Sequence, residues 1–261
     1  MAGVFPPAYG TNHDRAPDRP APRPRAAEAL ADPTGSRRRP WAAALRAAAC
    51  AVAAAGPVIA QATGYAPPTL IRFTVLANLL IAGAFGWSAV RTWRGGPPLS
   101  PRLSGGVLLL AAITGLMYHL VLANYGGNPP PPTDRPTAAT LLLHTVTPLA
   151  VAADWLLLTA PRTLRLAHIP LWLTPPAAYL ALTLTRGALL SPDAPARYPY
   201  PFLDVGTYGY AGVLTQSLAL GLLFTALGVL ITAVDHLRPN VAGWFQHRRN
   251  RISPPAAGGL K

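Results

Sequence analysis

The feature that most constrains this chain is a series of six apolar stretches, at roughly 42–62, 70–92, 104–123, 137–160, 167–186 and 208–235. Each is near the ~20 residues that a helix needs to cross a bilayer. The breaks between them carry turn chemistry: "GYAPPT", "RGGPPLSPR", "NYGGNPPPPTDRP", "APRTLR" and "GALLSPDAPARYPYPFLDVG". Backbone polar groups in a bilayer must be satisfied within the protein, and uninterrupted helices do this. The expected fold is therefore all-α: an integral membrane bundle of six transmembrane helices over 41–237, of plasma-membrane, multi-pass type. Residues 1–40, rich in Pro, Arg, Ala and Asp, are expected to be a disordered basic tail, and 238–261 a basic cytoplasmic tail.

Composition agrees. The chain has 261 residues, of which 51% are hydrophobic and 12% charged. A soluble domain carries about a quarter charged residues. The net charge of +13 would suit nucleic acid, but the basic residues flank apolar spans, so membrane orientation explains them and no nucleic-acid partner is expected. The single Cys50 excludes an internal disulfide and any cysteine-based metal site, and neither a cofactor nor a metal is expected.

The first segment is the weakest span, being mostly alanine with Arg46 inside it. It reads either as a retained helix or as an export signal, since "SRRRPWAAAL" leads into it and "AQA" at 60–62 resembles a cleavage site. Charge counting favours a retained helix. With both termini cytoplasmic, 18 of the 22 Arg and Lys residues lie on the inner side and four (Arg72, Arg135, Arg186, Arg197) on the outer. That balance requires an even number of spans.

This topology brings polar residues together. Thr74 and Asn78, four apart, share one face near the outer end of the second span. His144, with Thr140, Thr147 and Pro148 on its face, lies about two turns into the fourth span. Tyr118 and His119 end the third, and Asp204 sits among aromatics in the last outer loop. An ionisable group inside a span faces a bundle interior or a cavity, so His144 is expected to point inward. There it could take the proton of the Thr74 hydroxyl as that oxygen attacks an acyl carbon. Asn78 or a backbone N–H could bind the oxyanion, and Asp204 could orient the imidazole. The plainer readings are a Thr bonded to its own helix, a structural His, an Asp154 that pairs with an inner Arg or anchors at the interface with Trp155, and a "YPYPFLD" loop that is only an aromatic cap.

"FTVLANLL" (73–80), "HTVTPLAVAADWLL" (144–157) and "RYPYPFLDVGTYGY" (197–210), in this order on six spans, resemble the Pr-six-Pr family of prokaryotic membrane proteins. That family is distantly similar to the eukaryotic androgen-induced-gene and ADTRP family. The resemblance covers roughly 42–236. The eukaryotic relatives are intramembrane threonine hydrolases that cleave fatty acid esters of hydroxy fatty acids. The resemblance implies Thr74 as nucleophile and His144 as its base, a lipid ester substrate and membrane lipids as partners. It says nothing of oligomeric state. Ala77 stands where the family pattern has Ser. Two other readings stay open: a transporter or lipid-binding module without chemistry, and a haem protein with His119 and His144 as axial ligands.

Overall fold

The computed structural model describes Gly3 and residues 39–63, 71–122 and 137–241. Most of both expected tails, and the breaks "GYAPPT" and "NYGGNPPPPTDRP", lie outside the described residues, which contain helices and no strand. The helices are α1 (Pro40–Ala62), α2 (Phe73–Trp93), α3 (Pro101–Leu116), α4 (Ala138–Leu141), α5 (Thr147–Leu158), α6 (Ile169–Trp172), α7 (Thr174–Leu189) and α8 (Val205–Leu237). Met117–Leu122 extends α3 in the wider π conformation, and a π turn, Leu142–Val146, joins α4 to α5. Among the described residues, five helical stretches are long and apolar enough to cross a membrane: α1, α2, α3 as far as Leu120, α4 through α5, and α8.

The alanine-rich α1 packs most extensively on α2. Its small residues explain why. Ala42, Ala43, Ala49, Ala53, Gly56 and Ala60 are buried, and small side chains let two helix backbones approach closely where no water drives association. A Cβ on Gly56 would lie 2.8 Å from Leu143 Cδ2, so α1 also presses on the π turn. Arg46 is satisfied within the bundle. Its Nε donates to Asp154 Oδ1 at 2.8 Å and its Nη1 to Thr92 Oγ1 at 2.7 Å. The pairing of Asp154 with an arginine thus holds, though the partner comes from within α1.

α3 is the centre of the core, with Leu109 and Ile113 essentially inaccessible between α2, α5 and α6. Trp172 of α6 lies flat on the glycine pair of α3, where a Cβ on Gly105 would fall 2.1 Å from its ring, and its Nε1 donates to Arg102 O at 2.8 Å. In contrast, α8 turns Leu214, Leu218, Leu222 and Leu230 outward, each more than half exposed, as a helix bordering lipid would.

The fifth apolar segment is not one helix. Pro175 and Pro176 carry no N–H, so the carbonyls one turn back lose their helical donors. The chain breaks at Leu173, and Thr174 Oγ1 takes over one of those carbonyls, Leu171 O, at 2.7 Å. The two prolines then sit at the start of α7, where a missing N–H costs nothing.

At the far end from Thr74, Asp235 and Arg238 close the bundle. Asp235 is fully buried and accepts from Thr163 N, Leu164 N, Trp155 Nε1 and the Arg238 guanidinium. Arg238 in turn donates to the carbonyls of Trp155, Leu156, Thr159 and Ala160, which end α5. A buried charge pair is tolerated when its remaining hydrogen-bonding capacity is filled in this way.

Candidate functional site

The site is built around Pro148. In the π turn, Thr147 N–H bonds to Leu142 O, five residues back. The next bond of that register would come from residue 148 to Leu143 O, and proline has no N–H to give. Asn78 supplies the missing donor: its Nδ2 reaches Leu143 O at 3.3 Å and Thr74 O at 2.9 Å. The widened turn sets His144 toward α3. Gly115 makes the approach possible, since a Cβ there would meet Pro148 Cβ at 3.2 Å and His144 O at 3.4 Å.

His144 Nδ1 lies 3.0 Å from the Thr114 carbonyl oxygen. A carbonyl only accepts, so Nδ1 carries the proton and Nε2 is left with its lone pair. Tyr118 stacks on the imidazole, with centroids 4.3 Å apart and planes 20° from parallel. Ring orientation and tautomer are therefore fixed by Thr114 and Tyr118, the arrangement a general base requires.

Thr74, 9% exposed, stands in the first turn of α2. Thr74 and His144 both line one cavity of about 310 Å³. Its other walls are mostly apolar: Ile113 and Met117 of α3, Leu180 of α7, Leu220 and Phe224 of α8. Among the described residues no direct hydrogen bond joins Thr74 to His144. The loop 190–204 folds over this end. Arg186 Nη1 donates to Arg197 O at 2.8 Å, and Arg197 Nε returns to Gly187 O at 2.6 Å. Tyr200 stacks on Phe202 and meets Tyr179 edge-on, while the Tyr179 hydroxyl donates to Ile71 O at 3.0 Å, just before α2. This brings the Tyr200 phenol against the first turn of α2. Burial pushes its pKa above the ordinary tyrosine range, and interaction with the Thr74 side chain and backbone pulls it back.

The remaining expected site residues are placed as follows. Asn78 has both amide hydrogens committed to backbone carbonyls, so it has none to offer an oxyanion; its Oδ1 is buried with no partner among the described residues. Asp204 caps α8, accepting from Gly206 N at 2.9 Å and Thr207 Oγ1 at 2.8 Å, while the group that orients His144 is the Thr114 carbonyl. His119 is exposed and its Nε2 meets Thr145 Oγ1 at 3.1 Å. Ala77 is packed into the core beside Ile81. Among the described residues no group of three or more His, Cys, Asp or Glu could hold a metal ion. Thr114 and Tyr200 were not singled out by sequence. A backbone carbonyl leaves no sequence signal, and Tyr200 was legible only as part of an aromatic loop.

Fold and site together define an all-α protein of membrane-spanning helices with an apolar pocket carrying a hydroxyl and an oriented imidazole. No family model, curated protein or solved structure matches the chain.

Proposed function

We propose that this chain is a six-span membrane protein with both termini cytoplasmic, a member of the Pr-six-Pr family, that hydrolyses a lipid ester with Thr74 as nucleophile and His144 as general base. The observation that carries the reading is one apolar cavity lined by both Thr74 and an imidazole whose Nδ1–H is tied to Thr114 O. The apolar walls suit an acyl chain. His144 Nε2 takes the hydroxyl proton as Thr74 Oγ attacks the ester carbon. The tetrahedral intermediate collapses, the ester C–O bond breaks, and the imidazolium returns the proton to the leaving alkoxide. Water then cleaves the acyl-threonine by the same route. The sixth span in this reading is the broken α6–α7 segment, and Arg72, Arg186 and Arg197 mark the Thr74 end.

The test is labelling of the purified protein by a fluorophosphonate probe. Labelling lost in Thr74→Ala and in His144→Ala supports the reading. Equal labelling of Thr74→Ala removes the threonine from the mechanism.

A second reading, a lipid-binding protein without chemistry, is favoured by the missing hydrogen bond between Thr74 and His144. Catalytic pairs are often loose before substrate binds and tighten in the complex, so the hydrolase remains the stronger reading. Saturable binding of a fluorescent fatty acid, unchanged in Thr74→Ala and without probe labelling, would reverse that order.

A further inference from the structure

An acyl transfer at Thr74 needs a donor for the oxygen that becomes negative in the tetrahedral intermediate. The side chain that sequence nominated, Asn78, spends both amide hydrogens on Thr74 O and Leu143 O. Of the other cavity-lining groups, Tyr179 commits its hydroxyl hydrogen to Ile71 O, and Thr114 commits its own to Ala111 O at 2.9 Å. Ser217, on the α8 wall, keeps a buried hydroxyl with no partner among the described residues, and Tyr118 stacks on His144. Tyr200 is the cavity phenol that interacts with both the side chain and the backbone of Thr74, so it stands at the nucleophile.

Resting on the hydrolase reading, we infer that Tyr200 is a catalytic residue that donates its phenolic hydrogen bond to the substrate's carbonyl oxygen. As Thr74 Oγ bonds to the carbonyl carbon, the π electrons of C=O move onto that oxygen, and the Tyr200 O–H stabilises the resulting oxyanion. When the intermediate collapses, C=O reforms and the alkoxide leaves with the proton held by His144, so Tyr200 keeps its own proton throughout.

Four features fit this role. The loop holding Tyr200 is fixed at both flanks, by Arg186 and Arg197 on one side and by the Asp204 cap on the other, so the phenol is positioned before substrate arrives. Phe202 and Tyr179 bracket its ring. Burial keeps the phenol protonated at neutral pH, which a donor requires. The phenol also lies at the N-terminal turn of α2, where the helix dipole favours developing negative charge.

The test compares wild type with Tyr200→Phe, which keeps the ring and its stacking, in fluorophosphonate labelling and in turnover of p-nitrophenyl dodecanoate in detergent micelles. A fall in kcat on the order of 10²–10³-fold with little change in KM, and an unchanged melting temperature, is the expected result. Equal or faster turnover by Tyr200→Phe overturns the donor role and leaves the Thr74–His144 reading standing. A wild type that neither labels nor turns over the ester takes down the hydrolase reading itself.

Discussion

The Asn78 amide nitrogen lies 3.3 Å from the carbonyl oxygen of Leu143, at the point in the π turn where Pro148 has no N–H to offer. One helix thus supplies a hydrogen bond that another cannot make for itself. The bond sets the height of α2 against the turn that carries His144. Asn78→Leu leaves Leu143 O buried and unpaired, at a cost of about 1–3 kcal/mol. The expected outcome is a lower melting temperature in detergent, together with weaker probe labelling as His144 loses its register.

Asp235 and Arg238 predict a different pattern. Asp235→Ala strands a buried guanidinium and removes the acceptor for two loop N–H groups, and should destabilise by about 3–5 kcal/mol. Arg238→Met strands the carboxylate and the α5 carbonyls. Thermal unfolding of the single and double variants forms a cycle, and the double variant is expected to lose less than the sum of the singles.

Trp172 and Gly105 test close packing. Gly105→Ala drives a methyl into the indole and should cost about 1–3 kcal/mol through overpacking. Adding Trp172→Phe shortens the ring and is expected to recover part of that loss. Equal melting temperatures for wild type and Gly105→Ala would show that the α3–α6 approach is looser than described.

Gly221 lines the cavity, and a Cβ there would meet no atom within 4 Å. Gly221→Leu therefore starts in open space and extends its side chain into the acyl space of the cavity. Stability should hold or rise by up to about 1 kcal/mol, since leucine favours helix over glycine. Turnover of a long-chain ester should fall, chiefly through KM, while a small fluorophosphonate still labels Thr74. Steady-state kinetics with dodecanoyl and butyryl esters separate the two.

Segment length and polarity made most of the helices legible: 42–62 became Pro40–Ala62 and 70–92 became Phe73–Trp93, within three residues at each end. What stayed hidden depends on partners distant in sequence or on backbone groups. Arg46 looked like a flaw in a weak span because its partner, Asp154, is 108 residues away. An unbroken α-helix puts Thr140, His144, Thr147 and Pro148 on one face; the π turn widens the register between them. Pro148 was visible as a residue, but its effect on Leu143 O, and the use of Asn78 to repair it, appear only when two helices are set side by side. Counting turns puts Thr74 within a turn of the outer rim and His144 about two turns in, close enough to share a level but not to fix one. An inward His144 is legible from the cost of an imidazole in lipid, but its seat against Thr114 depends on the close approach that Gly115 allows.

The break at Leu173 carries a consequence for the surrounding lipid. A helix of 16 residues rises about 24 Å, against the ~30 Å of an average hydrocarbon layer. In the proposed six-span reading, where α6 and α7 together cross the membrane, the break leaves that flank a shorter unbroken wall for acyl tails than α8 offers. A bilayer meeting that flank must thin or tilt its lipids, at a fraction of a kcal/mol for each ångström of mismatch. In that reading membrane thickness becomes a variable to which this protein is coupled, and reconstitution in short-chain and long-chain phosphatidylcholine is the direct way to read that coupling.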